Sequence, residues 1–331
     1  MKNLKEIQSA LENFHKDKAS IVLGKFSDIA GHKFEGEFNI SGFHDEILDL
    51  PNKATSLWGI DRCLRVQDVP DSVHSFLFHM GIFAKSIDLG GNYVDPFKDV
   101  RFHTLQKEIL AQFFALLVEL GIDLNQVEVS YLEQITFGGN VERRDKLLKR
   151  KYNFPADEIS KDFLKDKVSL IPVKSLANVD INPVEGALVG PRLEIAYRGI
   201  EIGTIVFDCF KIENDALVPI NYVAGYALGI ERLVASLSDK HFLTSIHRYQ
   251  SAQKILTNLS EAATSSLFEK ETLLVIYGAE ALAHLPKTLS RHQKERVRIL
   301  RKEITENIAE LGISETALDE LISYFNHELI L

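Results

Sequence analysis

The sequence predicts an α+β protein in which a mixed first part, residues 1–240, is followed by an all-α part, residues 241–331. Three observations carry that expectation. β-prone runs divided by tight turns fill residues 192–224, an amphipathic helix with a glycine stop spans 105–120, and helical patterning alone fills the chain beyond about residue 241. With 331 residues, 45% of them apolar, there is material for a full core and for two domains.

From the N-terminus, Leu4, Ile7, Leu11 and Phe14 recur at helical spacing among charges, which predicts an amphipathic helix rather than an apolar leader. The runs IVLG and KFEGEFNI are β-prone, and residues 58–85 are dense in arginine, histidine and phenylalanine. The stripe Leu105, Ile109, Phe113, Leu117 and Leu120 predicts a helix covering one face of a sheet, with Gly121 as its C-cap. Residues 146–167, highly charged and interrupted by Pro155, read as surface helix and loop. RLEIAYRG, IEIGTIVFDCFKI and ALVPINYVA, divided by Gly199 and by Glu213-Asn214-Asp215, predict antiparallel strands feeding a helix at Gly229. Gly312 marks a break among the later helices.

No apolar run is long enough to span a membrane, and Cys63 and Cys209 sit in no metal-binding or disulfide pattern, so a cytoplasmic protein is expected. A net charge of −9 excludes a generally nucleic-acid-coating surface and leaves room for one local basic patch.

Three clusters can carry chemistry. In GYALGIERLVASL, residues 225–237, a Gly-rich strand end opens into a helix with Glu231 and Arg232 in its first turn; such a terminus suits phosphates, and Gly-x-x-x-Gly also serves close packing. In residues 61–85, Arg62, Arg65, His74, Phe76 and His79 can form a nucleotide clamp, with core packing as the plain reading of Phe76, Phe78 and Phe83 and of His79. Glu194, Glu201 and Asp208 place carboxylates on neighbouring strands, where they can hold Mg²⁺ or line a solvent-facing edge.

Taken in order, these segments resemble the alanyl-tRNA synthetases, class II aminoacyl-tRNA synthetases. DRCLRV is similar to the family's Arg-Cys-x-Arg signature, HSFLFHMGIF to the run of its second class-defining motif, and GPRLEI, IEIGTIVF and GIERL to its Gly-Pro-x-x-Glu-Ile, Glu-Ile-x-Asn-Ile-Val-Phe and Gly-x-Glu-Arg motifs. LLVIYGAEALAHLPKTLSRHQKERVRILRKEI resembles the helical segment that reads the tRNA acceptor stem. The resemblance implies an antiparallel sheet flanked by helices and followed by a C-terminal all-α domain. It also implies an ATP-dependent ligase that forms an aminoacyl or other carboxylate adenylate and passes it to tRNA or to a small acceptor.

Carried over residue by residue, Arg65 holds the α-phosphate and Arg232 the adenine face or γ-phosphate. His74 and Phe76 line the ATP pocket, and Glu194 and Glu201 hold the nucleotide or its Mg²⁺. Arg291, Lys294, Arg296, Arg298 and Arg301 form a basic face for an acceptor stem, with a solvated helix face as the plain alternative. The departures cluster in the amino-acid pocket. The family's tryptophan wall aligns with Ile181, its ammonium-pairing aspartate with Gly225, and an asparagine with Thr204. Its lysine loop is replaced by residues 66–70 and a motif-two glutamate by Phe78. A buried ammonium then needs another counter-charge. The alternative from a different class is a non-catalytic relative acting as a ligand-sensing or tRNA- or protein-binding module.

Overall fold

A computed structural model describes residues 3–23, 39–40, 44–62, 64–65, 79–139, 148–181, 185–238, 246–265, 268–283, 285, 291–314 and 316–328. The chain opens with helix α1 (Leu4–His15), whose first turn is closed by a reciprocal capping box: Asn3 accepts from the Glu6 amide and Glu6 from the Asn3 amide. Strands β1 (Ile21–Val22) and β2 (Asn39–Ile40), helix α2 (His44–Asp49), and strands β3 (Ser56–Arg62), β4 (Leu64–Arg65) and β5 (His79–Ile87) follow.

The expected central helix is α3 (Val100–Leu120), and the predicted stripe is its buried face. Asp99 caps its N-terminus by accepting the Arg101 amide, and Gly121, at φ 87°, closes its C-terminus in the left-handed region. Tyr222 donates to the same Asp99 at 2.9 Å, so the cap also fixes the helix to the sheet.

Strands β6 (Val127–Leu132), β7 (Ile135–Gly138) and β8 (Lys151–Phe154), helix α4 (Glu158–Leu164), and strands β9 (Ser169–Val173) and β10 (Val179–Ile181) lead to three long strands, β11 (Leu188–Tyr197), β12 (Ile200–Glu213) and β13 (Ala216–Gly229). Both turns of this meander have two residues. Arg198-Gly199 and Asn214-Asp215 all have positive φ, the conformation whose twist matches that of the flanking strands. The surface reading of 146–167 holds only in part: β8 pairs with β7, and Leu148, Phe154 and Leu164 are buried. That pairing is non-local, which charge density within the segment does not reveal.

The main sheet runs β1-β3-β5-β13-β12-β11-β6-β9, with β10 also on β11. It is antiparallel except at the β1–β3 and β6–β9 pairs. After β13 come helices α5 (Ile230–Ser236), α6 (His247–Leu259), α7 (Glu269–Ala283), α8 (Arg291–Glu310) and α9 (Thr316–Glu328). This is the α+β layout expected, an antiparallel sheet flanked by helices with helices alone behind it. No helix among the described residues is long and apolar enough to cross a membrane.

Strand alternation divides the sheet. Leu193, Ile195, Ile205, Phe207, Tyr222, Ala224, Tyr226 and Phe83 join α1, α3 and the later helices in one apolar cluster. Arg192, Glu194, Thr204, Asp208, Gly225 and Ala227 alternate with them and so point to the far face. Part of that face is covered where Leu50 packs on Leu57, Ala84 and Val223.

A polar group lies within the main core. His15 is stacked on Trp58 at 3.7 Å, its Nδ1 lies 2.6 Å from the Leu11 carbonyl, and its Nε2 lies 2.6 Å from the Tyr226 hydroxyl. The carbonyl can only accept, so Nδ1 carries the proton. A neutral ring then accepts at Nε2 from Tyr226, which in turn accepts from Gln112. Burial pulls His15 down to about 4. The unfolded chain therefore binds a proton near pH 6.5 that the native one refuses until about pH 4. Denaturant titrations of the wild type and His15→Phe are expected to show wild-type stability, relative to the variant, falling by roughly 3 kcal/mol between pH 7 and pH 4; parallel pH profiles would contradict the neutral buried ring.

Candidate functional site

Two groups of polar side chains frame the far face of the sheet. The first is buried at the junction of sheet and helices. Gly229 ends β13 and serves as N-cap of α5, which carries Glu231 and Arg232 into the interior at 0% and 3% exposure. His79, at the start of β5, donates its amide to Glu231 Oε2 at 2.9 Å, and its Nδ1 lies 2.6 Å from Oε1. Arg248 of α6 donates from Nη2 to Glu231 at 2.8 Å and from Nε to Glu280 of α7 at 2.7 Å. The Tyr249 hydroxyl completes the chain by donating to Glu280 at 2.6 Å.

Burial opposes ionisation of Glu231, but His79 and Arg248 outweigh it and hold its carboxyl well below the usual carboxylate range. Burial and the neighbouring Glu280 carboxylate push the Tyr249 hydroxyl well up. His79 thus fits the plain reading of a satisfied buried histidine. The expected phosphate-binding turn at Glu231–Arg232 is enclosed, and its charged groups have protein partners.

Arg232 reaches Glu201 at the start of β12, with 3.3 Å to both the carboxylate and the backbone carbonyl. Sequence reasoning assigned these two residues to one nucleotide. The fold brings them together directly, as an ion pair between helix and strand.

The second group lies on the far face. Glu194 sits in register between Ser130 and Thr204, and Arg192 holds it at 3.1 Å. Asn178, at 1% exposure, donates to Ser130 Oγ at 2.9 Å and to the Arg192 carbonyl at 3.0 Å. It thereby fixes the backbone that carries Arg192. Thr204 lies next to Ala227, and Gly225 next to Ala84. A Cβ at Gly225 would stand 2.4 Å from the Phe83 carbonyl oxygen, so close strand approach requires glycine there. Ile181, in contrast, enters a separate apolar cluster with Val189 and Leu217.

His74 and Phe76 lie outside the described residues, as do Phe78, residues 66–70 and the side chains of Arg65, Arg291 and Arg296. The backbone of Arg65 pairs with Asn39. On α8, Lys294, Arg298 and Arg301 are exposed, and Arg298 is held by Glu295 at 2.7 Å.

No protein-family model and no curated protein matches this chain. Solved structures similar to it include Entamoeba histolytica asparaginyl-tRNA synthetase in complex with asparaginyl-adenylate, at 9% identity and TM-score 0.37, covering 73% of this chain and 64% of that one. Pyrococcus horikoshii asparaginyl-tRNA synthetase complexed with asparaginyl-adenylate gives 12% and 0.35, covering 74% and 65%. A histidine–tRNA ligase subunit from Alicyclobacillus acidocaldarius gives 10% and 0.38, covering 71% and 92%. The chain thus spans less than two thirds of either asparaginyl enzyme. TM-scores below 0.5 mark a shared partial layout and assign no activity.

The Mg²⁺ expectation can be tested on the carboxylates themselves. Glu194 and Glu201 each face an arginine, and among the described residues no three His, Cys, Asp or Glu side chains gather where a metal could sit. Both carboxylates are thus engaged by arginines.

Sequence reading missed Arg248, Glu280 and Asn178, whose roles depend on residues 14 to 48 positions away. Removing one partner of such a buried pair leaves a charge without compensation. Arg248→Ala is expected to lower unfolding free energy by about 3–5 kcal/mol in denaturant titrations. A loss below about 1 kcal/mol, the range of exposed pairs, would mean that the network is solvated.

Proposed function

We propose that the chain is a class II synthetase-like, ATP-dependent ligase that activates a carboxylate as its adenylate on the far face of the sheet. The observation that carries this reading is that two of the motifs meet in the main sheet and a third starts there. GPRLEI lies on β11, GIERL forms the β13–α5 junction beside β12, and DRCLRV begins with Asp61 and Arg62 on β3, while Arg65 lies on β4, which pairs with β2 in a separate two-stranded ladder. ATP is a substrate in this scheme, and any Mg²⁺ would enter with it.

The carboxylate oxygen attacks the α-phosphorus and pyrophosphate leaves, so the protein's work is to position both groups and offset their charge. Arg65 and Arg232 are assigned to the phosphates and adenine, with His74 and Phe76 at the base. Arg192, Glu194 and Thr204 face the reacting groups. To meet a nucleotide, Arg232 must exchange Glu201 for it. The exposed Lys294, Arg298 and Arg301 supply the face for a tRNA acceptor stem, should tRNA be the acceptor.

The Arg232–Glu201 pair favours one other reading, a non-catalytic relative that binds a ligand or tRNA without activating anything. Exchange of labelled pyrophosphate into ATP, scanned over an amino-acid panel, separates the two. The ligase reading expects exchange with at least one amino acid and a decrease of roughly a hundredfold or more in Arg65→Ala and in Arg232→Ala. Silence across the panel, with ATP still bound, supports the non-catalytic relative. For tRNA, Lys294→Ala and Arg301→Ala are each expected to reduce the salt slope of binding by about 1; unchanged slopes would remove α8 from the contact.

A further inference from the structure

One contact in the candidate site engages a group that the proposed function needs elsewhere. Glu231 and Arg232 are neighbours on the first turn of α5, yet they are held in different ways. Glu231 is fully enclosed and takes Arg248 Nη2 at 2.8 Å, with the His79 amide donating beside it. Arg232 is 3% exposed, but the Glu201 carboxylate it meets at 3.3 Å is 39% exposed. Water competes for Glu201 and not for Glu231, so the Arg232–Glu201 pair opens at small cost while the Glu231 joint stays closed.

The carboxylate is the half of that pair that lies towards solvent. On β11 the residue in register with Glu201 is Ala196, which carries only a methyl group, and Gly203, two residues on along β12, carries no side chain. The backbone carbonyl of Glu201 also accepts from Arg232 Nη1, at 3.3 Å, so the guanidinium keeps an anchor on β12 when the carboxylate turns away. The Glu201 side chain thus covers a buried cation that the strand itself helps to hold.

We propose that the Arg232–Glu201 pair is an autoinhibitory latch: in the unliganded chain Glu201 occupies the guanidinium, and a polyphosphate binds there only after its own oxygens displace that carboxylate. The latch rests on the nucleotide reading above and reverses the part expected of Glu201, which competes with the nucleotide instead of holding it. A closed latch lowers apparent affinity by the fraction of molecules in which the arginine is released. For an ion pair with one half-exposed partner that fraction is roughly one in five to one in ten. Opening needs only rotation of the two side chains, because Glu231 keeps the α5 turn in place.

Calorimetric titration of the full chain with ATP, without amino acid, tests the latch on wild type, Glu201→Ala and Glu201→Asp. Glu201→Asp keeps the charge but is one methylene shorter, so its carboxylate draws back from the 3.3 Å contact. Both variants are expected to bind ATP roughly five- to tenfold more tightly than wild type. Tighter binding by Glu201→Ala alone would mean general relief of negative charge and overturn the latch. Equal affinity in all three chains would overturn it too, as would weaker binding by the variants, which would make Glu201 a nucleotide ligand. If Glu201→Ala does not fold, the charge-conserving Glu201→Asp decides. In each of these outcomes ATP still binds, so the ligase reading stands; ATP bound by none of the three chains would remove the latch and the nucleotide site together.

Discussion

The carboxylate of Glu231 holds the molecule together at its most consequential point. It is charged, fully enclosed, and met by His79 from β5 and Arg248 from α6. Isolated, such a charge would be expelled or protonated. With a backbone amide, an imidazole and a guanidinium around it, it becomes a fixed joint. Glu280 and Tyr249 extend the joint into α7, and Tyr324 of α9 donates to the Arg248 carbonyl. Hydrophobic burial supplies the cohesion of the cluster that runs from Ile7 to Phe325, but it is non-directional. The ionic chain fixes which helix sits against which strand.

That joint has a functional corollary. Glu231 and Arg232 are adjacent, so the helix turn that holds the first cannot shift without moving the second. Arg232 spans to Glu201 at the start of β12, three residues before Thr204 on the far face. The C-terminal helices thus bear on the sheet through one buried carboxylate, whether the face activates a substrate or only binds one. Rigid strands carry Arg192, Glu194, Thr204 and Asp208, and Asn178 holds the backbone of the first, so these groups are placed before a ligand arrives.

What could be read from the chain follows the range of each interaction. The stripe and glycine stop of α3 and the turns at Gly199 and Asn214-Asp215 are local signals, and the fold realises them. His79 and Phe83 fit their plain core readings. The partners of Glu231 were not legible, because Arg248 and Glu280 meet it only after helices have packed. Pairing of Arg232 with Glu201 likewise depends on the crossing of α5 over β12. The burial of Asp208 was not legible either, since nothing local shows that β11 and β12 approach each other so closely at Gly190. Strand parity alone separates Thr204 and Gly225, on the far face, from Ile181, in an apolar cluster.

The central claim is that the sheet face turned away from the helices is where ligand binds. A crystal structure of the wild-type chain with a non-hydrolysable ATP analogue tests it most directly. The account places the triphosphate over β11, β12 and β13, within reach of Arg192 and Thr204, with the Glu231 joint unchanged. A nucleotide seated on the helical side of the sheet, or a Glu231 side chain turned out to meet it, would contradict the account.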